Sequence, residues 1–212
     1  MEDIRAEHGE LMVDLKKIYM AVSIISILIM SGGLRAGGEC LGLWEEFSRS
    51  PEKVLLINWM NDTARKILFK NSSFTDLEIQ LPPGNGCYGI FVTLIRRGKV
   101  RGCFGAFSHK YSSLPVILRH YIKGAMFFDP RYKPLERHEL YDTEIILTVT
   151  SLPEPVDDIN NVDISNFGVF IDCDDSGKTV IVPAEFRTAS CAVKNTVKSR
   201  CRFYSFRAVT LR

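Results

Sequence analysis

Arg101-Gly102-Cys103 is the segment of this 212-residue chain whose residue types and spacing most directly suggest chemistry. It lies in a run, Val100 to Phe107, that reads as a β-strand. Residues at i and i+2 of a strand share a face, so the Cα atoms of Arg101 and Cys103 should lie roughly 7 Å apart, within reach of a guanidinium. A fixed cation beside a thiol favours thiolate, which makes Cys103 a candidate nucleophile and Arg101 its activator or an anion clamp. Gly102 and Gly105 place no side chains beside the sulfur. Glycine inside a strand marks a bulge or a close approach, so the two are candidate ligand-binding positions. The alternative is a bulged strand holding a small buried cysteine.

Other groups carry weaker signals. Asp129-Pro130-Arg131 joins a carboxylate to a guanidinium at a helix end, and could present Arg131 to an anion or hold a salt bridge. The four histidines, at 8, 109, 120 and 138, lack metal or triad spacing, so pairing Cys103 with His109 is a spatial guess. His120 reads as a surface or edge residue. Asp172, Asp174, Ser176 and Gly177 resemble the start of a calcium loop, but Pro183 stands where the closing acid is needed, and a turn is preferred. Gly84 to Gly89 matches Gly-x-Gly-x-x-Gly yet leads into a strand, so the dinucleotide reading fails on context. The cysteines contain no C-x-x-C, and neither a metal nor a cofactor is expected.

The elements that must position these groups follow from pattern. Pro51 and Glu52 suit a helix start capped by Ser50, with Val54, Leu55, Ile57, Trp59, Ala64, Ile67 and Leu68 as its apolar face. Tyr88 to Ile95 is a strand, Arg96 to Lys99 a hairpin turn, and Val100 to Phe107 the returning strand. Ser112 or Ser113 caps a second helix with Leu114, Ile117, Leu118, Tyr121, Ala125 and Phe128 buried, ending before Pro130. Thr143 to Ser151, Gly168 to Cys173, Lys178 to Val182 and Arg202 to Leu211 read as strands, with Pro153 and Pro155 closing the first. Strands in hairpins with few helices predict an α+β fold with a largely antiparallel sheet.

The composition is that of a globular protein, with 46% apolar and 25% charged residues. Disordered, collagenous and multi-spanning membrane chains are excluded. A net charge of +2 does not point to nucleic acid. After Glu185 the chain carries only basic charges with aromatic residues interleaved, which could bind nucleic acid or anionic lipid. A solvated basic face is the preferred reading, so nucleic acid is not the expected partner.

Residues 1–38 read as a leader preceding a domain at 39–212. Ile18 to Leu34 is uncharged behind Lys16 and Lys17, with small residues at Ser31-Gly32-Gly33 and Ala36-Gly37-Gly38 suited to cleavage. Membrane contact through residues 18–34, or export, is expected. A cytoplasmic protein with an apolar helix packed on the domain is the alternative. A start at Met12 would give the conventional basic flank.

Tyr88 to Gly105 (YGIFVTLIRRGKVRGCFG) closely resembles the central motif of the AMMECR domain family. Ala125 to Leu135 with Glu139-Leu140 is similar to that family's A-x-x-D-P-R-F-x-P-L-x-x-x-E-L block, and Leu152 to Pro155 to its L-x-x-P-E-P. The resemblance spans about 52–212, with Phe104 for the family's isoleucine and Phe167 for the histidine of its H-G pair. It implies an α+β fold built on an antiparallel sheet with a smaller subdomain. It also implies an association, in microbes, with Memo-type and radical SAM proteins. It names no reaction. The functional expectation is an accessory domain that binds a small ligand or a protein partner through the Arg-Gly-Cys cleft. The alternatives are a thiol-dependent enzyme and, more weakly, nucleic-acid binding at the basic end.

Overall fold

A computed structural model describes residues 41–71, 73–83, 89–158, 162–163, 167–174, 177–183 and 200–212. The leader at 1–38, most of the Gly84–Gly89 loop and the basic stretch 184–199 lie outside the described residues. Among those that are described, no helix is long and apolar enough to cross a membrane.

After a helical turn at 41–47, helix α1 spans Glu52–Leu68. Its buried stripe is Leu56, Trp59, Met60, Thr63, Ala64 and Leu68, the i, i+3, i+4 spacing of one helix face. Val54 and Leu55 fall off that stripe and are exposed, a correction to the expected face. Helix α2 spans Leu114–Phe127 and buries the expected residues except Phe128, which lies past its end and is exposed. Neither helix has the side-chain cap expected of Ser50 or Ser113. Pro51 and Ser113 occupy the cap positions without a side-chain hydrogen bond.

Seven strands form the sheet of the described residues: β1 (Gly89–Arg96), β2 (Lys99–Ala106), β3 (Thr143–Thr150), β4 (Glu154–Val156), β5 (Phe167–Cys173), β6 (Gly177–Ile181) and β7 (Cys201–Leu211). Their order is β2-β1-β3-β7-β5-β6, with β4 also on β7, and every pairing is antiparallel. The fold is α+β. The β1–β2 hairpin turns through Arg97 and Gly98, both with positive φ, which is the type I′ geometry that matches strand twist. The Pro153–Pro155 stretch does more than close β3. Pro155 sits in the short strand β4, a position that suits a residue with no N–H to donate.

The sheet has two faces with different cores. Ile90, Val92, Leu94, Ile145, Leu147 and Val149 pack against α1 and α2. Phe91, Val182 and Phe206 cluster separately, with Cys103 and Phe107 against them. A smaller cluster of Val169, Ile171, Cys173 and Ile181 lies at the β5–β6 end. There Cys173 and Cys201, register partners on β5 and β7, form a disulfide. A strand alternation cannot reveal this pairing, because it depends on the register between distant strands.

Candidate functional site

Strand β2 ends the sheet, so half of its backbone N–H groups face outward without a ladder partner. The segment from Asp129 to Glu139 covers this edge. Asp129 Oδ2 accepts the Cys103 N–H at 2.8 Å. Ten residues further on, Glu139 receives Arg101, Nε to Oε1 at 2.9 Å and Nη2 to Oε2 at 2.7 Å. Between them, the carbonyls of Lys133 and Pro134 accept the Arg101 Nη groups at 2.9 and 3.3 Å. The two motif blocks are therefore strapped to each other at both ends.

The role expected of Arg101 is activator of Cys103 or anion clamp. Its guanidinium is held by Glu139 and two carbonyls, where it secures the strap. A bidentate carboxylate in a largely buried setting holds a guanidinium in one orientation. Glu139 also accepts Arg96 Nη1 at 2.8 Å and the Glu136 N–H at 2.9 Å, so four donors converge on one carboxylate. The Arg101 hydrogen bonds, followed by the Glu136 N–H and the charges of Arg101 and Arg96, outweigh burial and hold its pKa at about 2. Glu139 carried a visible signal: with Glu136 it forms a capping box at the start of a 3-10 turn, Arg137–Asp142.

Arg131 is linked to Cys103 through the Asp129 carboxylate. Its Nε and Nη2 reach the Asp129 carboxylate at 3.0 and 2.9 Å, and its own N–H donates to Asp129 Oδ1 at 3.0 Å. The Asp129 side chain is 3% exposed, whereas that of Arg131 is 51% exposed. Burial pushes the Asp129 pKa up. The hydrogen bonds from Arg131, with the Cys103 N–H and the Arg131 charge, prevail and hold it below the usual carboxylate range. Cys103 is half-buried, and its Sγ accepts the hydroxyl of Thr93, its register partner on β1, at 3.3 Å. Thr93 was not singled out in the sequence. Its register opposite Cys103 was the available signal.

The glycines have packing roles. A Cβ on Gly102 would collide with the Ala125 carbonyl, so Gly102 lets α2 lie directly on β2. A Cβ on Gly105 would collide with the Ile90 carbonyl and Phe91 on the neighbouring strand. The space beside each is filled by protein at these atoms. His109 is held by the Tyr121 hydroxyl at 2.9 Å, His120 stacks edge-on against Phe104, and His138 lies 3.3 Å from Glu136. In the basic C-terminal stretch, Arg202 pairs with Asp172 and Arg207 with Glu45.

Comparison with known proteins agrees with this architecture. A family model described as AMMECR1 matches residues 59–209. A protein of Thermotoga maritima is 36% identical over 84 residues, covering 39% of this chain and 48% of that protein. A protein of Methanothermobacter thermautotrophicus is 33% identical over 69 residues, covering 32% and 35%. The matches thus span half or less of these relatives. The crystal structure of an uncharacterised protein of Pyrococcus horikoshii superposes with a TM-score of 0.56 at 18% identity, covering 73% of this chain and 88% of that one. At that identity the likeness concerns the fold. The family match covers most of the chain, including both strapped motif blocks, and the chain belongs to the AMMECR1 family.

Proposed function

We propose that this chain is an accessory binding domain, and that Cys103, Asp129 and Arg131 form its contact point for a small anionic ligand or an acidic partner segment. The observation that supports this reading is the Asp129–Arg131 pair. Asp129 is buried and anchored on the Cys103 N–H, so it holds a half-exposed guanidinium in a fixed orientation. A guanidinium already held in one orientation loses little freedom when it takes up an anion. The Arg-Gly-Cys block then serves as the platform, with Arg101 fastening the strap that carries Arg131.

A thiol-dependent reaction at Cys103 is the second reading. The Thr93 hydroxyl favours it, because a hydrogen bond donated to sulfur stabilises negative charge there. The Cys173–Cys201 disulfide also supports the export predicted from the leader, since disulfides persist in oxidising compartments.

Calorimetric titration with inorganic phosphate, sulfate and small dicarboxylates tests the binding reading. Binding of at least one anion, lost in Arg131→Ala and retained in Arg200→Ala, is expected. Binding that survives Arg131→Ala would place the anion elsewhere.

A further inference from the structure

On the helical side of the sheet, α1 and α2, with Lys70, Asn71, Phe74, Tyr111 and the segment at 135–137, line a groove of about 990 Å³. None of the Cys103, Asp129 and Arg131 cluster lines it. The geometry points to a nucleotide-binding site here, with phosphate held by the cations and a base lying against the aromatic rings. The reading is independent of the function proposed above.

The charge balance supports an anionic occupant. Lys70, Lys123 and Arg137 line the groove with His120 and a single lining acid, Glu136, while Lys66 and Arg119, also in the lining, are paired with Asp62 at 2.8 Å and Asp76 at 3.6 Å. Glu136 is already engaged, since its carboxylate lies beside His138 and caps the turn that follows. Among the described residues, Lys70 and Lys123 have no ion-pair partner. Lysines at the end of a helix can be explained by its dipole, but Lys123 and Arg119 lie before the last turn of α2 and have no such explanation.

Lys70 adds a second, conformational observation. It holds a φ of 58°, the left-handed region that favours glycine at a helix C-terminus. A lysine there is strained relative to glycine, yet it is the residue that lines the groove at this point.

The rings explain why the anion should carry a base. Arg119 sits between Trp59 and Phe74, its guanidinium 5.6 and 5.2 Å from their centroids. Arg137 lies 5.2 Å from the Phe69 centroid. Phe74 and Tyr111 are 37% and 38% exposed, which leaves aromatic surface open in the groove. Such rings and arginine planes stack on any base, because every base has a π-face. The volume suits a small molecule.

Titration of the full chain with adenosine monophosphate, adenosine, inorganic phosphate and a short single-stranded RNA tests the assignment. The monophosphate should bind, with adenosine and phosphate each about tenfold weaker or worse, and added salt should weaken it. Lys123→Glu and Lys70→Gly should each lower affinity severalfold while the melting temperature holds. Lys70→Gly relieves backbone strain, so lost binding there cannot be blamed on unfolding. RNA that competes and binds more tightly would make the source a strand, and RNA that does not would make it a free nucleotide. No binding of the monophosphate or RNA at millimolar concentration would overturn the assignment. So would affinity unchanged by both variants, or phosphate binding as tightly as the monophosphate.

Discussion

Arg101 grips Glu139 through two hydrogen bonds across 38 positions of sequence. The pair is mostly buried, with side chains 16% and 10% exposed, and it fastens the segment that covers the sheet edge. The pair and the neighbouring Gly102 each have a measurable effect on stability.

The first is pH dependence. The folded pKa of Glu139 is about 2 and the ordinary value is 4.5, so its ionised form is favoured by folding. That stability is fully present above about pH 4.5 and is lost as pH falls from there through 2. Asp142, lowered mainly by its hydrogen bond from Arg96, and Asp129 shift in the same direction. Thermal melts should decline steeply between about pH 4.5 and 2. Glu139→Gln should make that decline shallower and cost about 3 kcal/mol at neutral pH, because it leaves Arg101 without its countercharge. A variant as stable as the parent at pH 7 would show that the strap is not held by this pair.

The second concerns Gly102. Gly102→Ala forces α2 away from β2, since the added methyl meets the Ala125 carbonyl. Denaturant unfolding should show a loss of about 1 to 3 kcal/mol, the range for overpacking. An unchanged midpoint would leave Gly102 available for a role other than helix contact.

The disulfide makes a separate prediction. Cys173 and Cys201 close a loop with a sequence separation of 28, and the chain-entropy relation gives about 3 to 4 kcal/mol for a loop of that size. Cys173→Ser with Cys201→Ser should lower the melting temperature by about 10 °C. A melt insensitive to both the double variant and reductant would mean that the β5–β7 pairing holds without the link.

The elements were largely legible in the sequence, because each has a local cause. The alternation in Thr143 to Thr150 and the turn residues Arg97-Gly98 fix their structures without distant partners. Cys103, Asp129 and Arg131 were also legible as candidates, and the structure brings them together. What was hidden depends on long-range register. Nothing local in Arg101 reveals that Glu139 is its partner, and its nearness to Cys103 in sequence suggests a contact with the thiol instead. The groove was hidden for a similar reason. Lys70, Lys123 and Arg137 belong to three segments, and each alone reads as a solvated charge.

The most direct test of the Cys103–Asp129–Arg131 contact point is the native-state alkylation rate of Cys103, followed by peptide mass spectrometry at neutral pH. The parent should label without unfolding, and a saturating anion should slow the labelling. Arg131→Ala should abolish that protection, while Arg101→Gln, assayed where it is folded, should keep it. Labelling that requires unfolding, or protection that depends on Arg101 and not on Arg131, would contradict the account.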